Sequence, residues 1–134
     1  MHKRLISVYG TLRLGGSNNY LLKDSKFIGE FKTEPIFDLY SLGGFPGLKL
    51  NGDTSVTMEV YEVDEQTAKR VDQLEGYKEG VEPYFYDKIK LETPYGESSV
   101  YIYINGVQYH NKIKSGDWID YVKKSKKETS EVYN

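Results

Sequence analysis

Turn signals divide this chain into short segments, and that punctuation constrains its fold more than any other feature. The segments between the turns are rich in tyrosine, valine and isoleucine, and many alternate with a period of two, the pattern of strands. Residues 5–9 read as a strand that stops abruptly at Gly10 and opens a loop over about 11–17. Residues 26–32 and 36–42 read as two more strands, joined across 33–35. Asn51-Gly52 is a strong turn dipeptide that links a short piece near Leu48 to a strand over 55–63, where Val56, Met58 and Val60 alternate with Glu59 and Tyr61. Residues 84–92 and 98–104 form an expected hairpin about Pro94-Tyr95-Gly96, and Asn105-Gly106 marks the next turn.

Two segments depart from the strand pattern. Over 64–74, Asp64 is a good N-cap and Glu65 suits the positive end of a helix. Ala68, Val71 and Leu74 share one face, and Gly76 supplies a stop. A second helix is expected to start at Ser115 or Asp117 and to place Trp118, Tyr121 and Val122 on one face. Beyond Val122 the sequence is too polar to bury, which gives one domain over 1–124 and a frayed polar tail over 125–134. A length of 134 residues suits a single core, so the chain reads as one compact α+β domain.

Charge and composition remove several classes of function. Eighteen basic residues against 20 acidic ones leave a net charge of -2, without the cationic excess that nucleic acid requires. The absence of cysteine removes disulfides, thiol nucleophiles and thiolate metal sites together. The apolar run at 5–9 is too short for a signal peptide, and no run approaches the length of a membrane span. The expectation is a cytoplasmic protein with no nucleic-acid or membrane partner. His2 and His110 lie outside any triad or metal-ligand spacing, so neither supports a metal site. The glycines at 10, 15 and 16 lack the spacing of a phosphate-binding loop.

Three features remain. Tyr9-Gly10-Thr11-Leu12-Arg13 follows directly on a strand, and a glycine there lets successive N–H groups turn into one concavity that can hold a carboxylate; a plain strand-to-loop turn is the alternative. Glu75 closes the first helix, at the dipole end where a cation is preferred. If it points inward, burial and dipole both raise its pKa towards the range of a general acid/base, whereas a solvated glutamate would do nothing. Ser115-Gly116-Asp117-Trp118 reads as a capped helix start that docks the lone tryptophan.

In their order and spacing these features resemble the gamma-glutamylcyclotransferase-like superfamily, in particular its AIG2-like and gamma-glutamylamine cyclotransferase branch. The resemblance runs over about residues 5–121. It rests on Tyr9-Gly10-Thr11-Leu12 after the opening strand, Asn19 a little later, Gly44-Phe45-Pro46-Gly47, Val60-Tyr61-Glu62-Val63, Leu74-Glu75-Gly76-Tyr77, Tyr84 at the next strand and Ser115-Gly116-Asp117-Trp118. It departs at Tyr86, where the family often carries arginine. The resemblance implies a small mixed β-barrel flanked by short helices. It further implies that Glu75 is the acid/base residue, that Tyr9, Gly10, Thr11, Leu12 and Tyr84 bind a gamma-glutamyl small molecule, and that no metal or organic cofactor is needed. The implied reaction closes the glutamyl part to 5-oxoproline and expels an amine or amino acid. The alternative is a non-catalytic module that binds a small anion or peptide in the same pocket. A surface protein acting through the lysines at 123–127 is a third reading.

Overall fold

The computed structural model describes residues 3–133, with side chains as far as Lys127; His2 and Asn134 lie outside the described residues. Five strands form one sheet: β1 (Lys3–Val8), β2 (Lys26–Lys32), β5 (Thr57–Asp64), β6 (Tyr86–Thr93) and β7 (Gly96–Tyr103), in the order β2-β5-β1-β7-β6. β1 is central, antiparallel to β5 and parallel to β7, so that Ile6 lies opposite Tyr61 on one side and Ser99 on the other. A second sheet holds β4 (Pro46–Leu50), β3 (Phe37–Ser41) and the short β8 (Asn111–Lys112). The expected mixed α+β class is what the chain forms, but the strands make two sheets, not one closed barrel.

Most of the expected strands appear within about two residues of their expected bounds. The hairpin at Pro94-Tyr95 closes with Thr93 opposite Gly96, as its turn residues require. The connections at 33–35 and at Asn51-Gly52 behave differently. Each carries the chain from one sheet to the other, because β2 pairs with β5 while β3 pairs with β4. Asn51 does adopt the left-handed conformation, with φ 63°, but it turns the chain out of β4 towards an isolated bridge between Phe37 and Thr54. A turn dipeptide fixes local direction; it does not choose the partner strand.

The first helix, α1 (Glu65–Glu75), follows β5 without a gap, and Asp64 accepts a hydrogen bond from the Thr67 N–H at 2.8 Å as its cap. Ala68 and Val71 pack into a core with Ile6, Val8 and Val63. α1 starts where β5 ends, opposite the beginning of β1. Its 11 residues extend for about 16 Å, close to the length of the six-residue β1 at about 20 Å. Packed back along the sheet, the helix therefore delivers Glu75 to the end of β1 from which residues 9–12 emerge.

A second core lies between the sheets, built from Phe37, Leu39, Leu48, Met58, Val100 and the single tryptophan, Trp118. Trp118 opens α2 (Trp118–Tyr133) and stacks on Tyr121 with ring centres 5.7 Å apart. The docking role expected for the tryptophan is what it performs. The backbone of α2 continues to Tyr133, so residues 125–133, expected to fray, are helical.

Candidate functional site

The end of β1, the end of α1 and the turn into β4 enclose a cavity of about 470 Å³. Gly10, Thr11 and Leu12 line one side, Gln73, Leu74 and Glu75 another, and Phe45, Pro46 and Tyr86 close it. Glu75 and the glycine turn, 65 residues apart in sequence, thus share one concavity.

The Glu75 carboxyl makes no hydrogen bond or ion pair with any described residue. Burial and the nearby Asp72 charge push its carboxyl up to about 7. Glu75 is also the last residue of α1, at the negative end of the helix dipole, where Gly76 closes the helix in the left-handed conformation (φ 69°). Asp72, one helical turn earlier, is fully engaged. The Lys88 ammonium donates to it at 2.9 Å, and the Tyr101 hydroxyl donates to the same oxygen in a short hydrogen bond. Lys88 also lies 4.6 Å from the centre of the Tyr77 ring. Asp72→Asn would remove the charge that opposes Glu75 ionisation and leave the Lys88 cation without its partner. Both changes lower the Glu75 carboxyl from about 7, while burial keeps it above the ordinary value. A carbon-detected NMR titration of the Glu75 carboxyl in wild type and variant is expected to read that downward shift.

The loop is pinned from below. The Asn18 amide donates to Thr11 Oγ1 at 2.9 Å, and the Asn19 amide donates to the Leu12 carbonyl at 2.8 Å. Within the described residues, the N–H groups of Gly10, Thr11 and Leu12 donate to no acceptor, although the loop carbonyls accept three hydrogen bonds. Beneath them, Arg13 is buried and donates to Glu59 at 2.8 Å, Asp117 at 2.8 Å and Glu30 at 3.2 Å. Glu59 also accepts from the Leu14 N–H at 2.8 Å and the Tyr61 hydroxyl at 3.0 Å. Although burial opposes it, the Asp120 N–H and the Arg13 guanidinium hold the Asp117 carboxyl below its ordinary range.

Sequence reasoning missed this clamp. Period-two alternation sets Glu59 only on the face opposite Val56, Met58 and Val60, yet β5, which lies between β1 and β2, is buried on both faces over residues 57–61. The available signal was a glutamate set directly between apolar residues, with Met58 before it and Val60-Tyr61 after it. Asp72 could have been found too, since three residues before Glu75 is one helical turn.

Two expected binding residues sit differently from expectation. Tyr84 is 81% exposed and outside the cavity, because β6 begins only at Tyr86. Tyr86 lines the cavity instead and donates its hydroxyl to the Pro46 carbonyl at 2.7 Å. Tyr9 borders the cavity, but its hydroxyl is buried, donating to the Tyr101 carbonyl at 2.9 Å and accepting from the Leu48 N–H at 3.3 Å. Its side chain ties β1 to β7 and β4 and has no proton to spare for a ligand. Gly10 is constrained by packing: a Cβ there would lie 2.6 Å from Pro46 Cγ. Gly10→Val is expected to displace Pro46, and with it the acceptor of Tyr86, while the β-rich circular dichroism persists. A loss of melting temperature equivalent to about 1–3 kcal/mol of overpacking is expected with it.

Among the described residues no cluster of side chains could hold a metal ion, and no helix is long and apolar enough to cross a membrane. The family model "Gamma-glutamyl cyclotransferase, AIG2-like" matches residues 6–120. A Vibrio cholerae protein provisionally named a gamma-glutamylcyclotransferase is 44% identical over 116 residues, covering 87% of this chain and 96% of its own. The gamma-glutamylcyclotransferase family protein YtfP of Escherichia coli is 36% identical over 115 residues, with 86% and 96% covered. The crystal structure of protein PH0828 from Pyrococcus horikoshii superposes with a TM-score of 0.76 at 30% identity, over 93% of this chain and 97% of that one. The match takes in the glycine turn, the helix that ends at Glu75 and the clamp that joins Arg13 to Asp117, and on that footing the chain belongs to the gamma-glutamyl cyclotransferase, AIG2-like family.

Proposed function

We propose that the protein cyclises the glutamyl part of a gamma-glutamyl compound to 5-oxoproline with release of an amine. The observation that carries this reading is the Glu75 carboxyl: free of hydrogen bonds, poised at about 7 and lining the same cavity as three unused N–H groups. A group meant only to bind an anion would gain nothing from a carboxylate there.

In the proposed reaction the substrate supplies its own nucleophile. Its α-nitrogen attacks the γ-carbonyl carbon, the new C–N bond closes a five-membered lactam, and the bond from that carbon to the departing nitrogen breaks. Glu75 takes a proton from the α-ammonium and returns one to the leaving nitrogen. Overall the α-nitrogen sheds two protons, and the released amine, an ammonium in water, carries both away. A carboxyl near 7 exchanges protons in both directions at neutral pH, which is the condition for acting as base and then acid. The N–H groups of residues 10–12 hold the α-carboxylate or oppose the charge that develops on the γ-carbonyl oxygen. The cavity enforces the folded approach of amine to carbonyl. Tyr86 stands where the resemblance leads one to look for arginine, so the backbone carries the anion-binding role.

Incubation with gamma-glutamyl amides, dipeptides and glutathione, with 5-oxoproline followed by mass spectrometry, tests the reading. Release from at least one compound is expected. Tight binding without release from any would make the pocket a binding module instead.

A further inference from the structure

A cavity of about 470 Å³ is of the size that encloses a whole small organic ligand, so it has room beyond the glutamyl moiety. Three of its lining residues are large, apolar and left in water: Phe45 is 47% exposed, Leu74 42% and Phe85 56%. They come from separate places in the chain. Phe45 belongs to the turn before β4, Leu74 precedes Glu75, and Phe85 precedes β6. Large apolar side chains gathered at one opening mark a surface kept for an apolar ligand.

The charges around the cavity point the same way. No lysine, arginine or histidine lines it, and its single carboxylate is Glu75. A carboxylate on the departing group would enter without a cationic partner. A cation there would find no acid but Glu75, and would pull that carboxyl back towards its ordinary range.

We infer that Phe45, Leu74 and Phe85 form the subsite for the leaving group, and that the substrates are gamma-glutamyl amides of uncharged apolar amines, aryl or branched alkyl, as opposed to gamma-glutamyl amino acids or polyamines. This rests on the cyclotransferase reading. The glutamyl part lies against the N–H groups of residues 10–12, and the amine's hydrocarbon covers the three exposed side chains.

The experiment compares gamma-glutamyl amides of benzylamine, phenylalanine, 1,4-diaminobutane and methylamine. Release of 5-oxoproline is measured for the wild type, Phe45→Ala and Phe85→Ala. Binding is measured by calorimetry for the wild type and Glu75→Gln. The benzylamide is expected to exceed the phenylalanine and diaminobutane compounds at least about tenfold in kcat/KM. Each alanine variant should cut the ratio of benzylamide to methylamide severalfold, through KM. Turnover with equal or better use of the charged compounds would overturn the subsite and leave the reaction standing. No turnover, with the same rank order in binding, would keep the subsite and overturn the reaction. Neither turnover nor a preference in binding would sink both.

Discussion

Glu75→Gln is expected to lower 5-oxoproline release by about 10²-fold to 10⁴-fold on the best gamma-glutamyl substrate, with affinity kept within a few-fold. Glutamine preserves size and most hydrogen-bonding reach but cannot exchange a proton, and losses of this order are typical of general acid/base removal. Equal release from the two proteins would remove Glu75 as the proton carrier. A second consequence concerns stability. The folded-state value of about 7 lies above the ordinary 4.5. Between those values the folded chain holds a proton that the unfolded chain has lost. The stabilisation tied to that proton is complete below about 4.5 and disappears as pH rises through about 7. Glutamine does not titrate, so the variant's melting temperature should gain on the wild type from pH 5 to pH 8. Thermal unfolding at four or five pH values would read this without any substrate.

Arg13→Met should be the most damaging single change to the fold. Glu59 is buried, and without the guanidinium it keeps only the Leu14 N–H and the Tyr61 hydroxyl as partners. Removing one member of a buried ion pair costs about 3–5 kcal/mol, because the remaining charge is stranded. A fall of roughly 10 °C or more in melting temperature is expected for a domain of this size. The double change Arg13→Met with Glu59→Gln removes the stranded charge and should recover a measurable part of the loss. If the double variant is no better than the single, the cost lies in packing around Arg13 and not in its charge.

The glycine turn, the capped helix over 64–74 and the carboxylate at its end could be read from the chain, because each is governed by residues within one or two turns of each other. The sheet order could not. Whether β4 pairs with β3 or with β5 depends on which apolar faces meet, and Asn51-Gly52 serves either outcome. Glu59 illustrates the same limit: its burial follows from β5 having a core on each face, Tyr61 and Val63 in one and Val56 and Met58 in the other, a property of the whole fold. The start of β6 differs by two residues from the expected one at Tyr84, and that difference leaves the Tyr84 ring exposed while Tyr86 lines the cavity.

The clamp beneath the loop bears on how the protein is made. Arg13 meets Asp117 across 104 residues of chain, and β1 cannot find its parallel neighbour until β7 has been synthesised. A growing chain therefore carries the glycine turn through the synthesis of a further 104 residues before the last of the three carboxylates that clamp it exists. The turn precedes all three of its carboxylate partners, Glu30, Glu59 and Asp117, and its shape is completed only when the start of α2 has been made and has folded back. Chains released earlier should present a loose, incomplete pocket, so that competence for ligand arrives late and all at once.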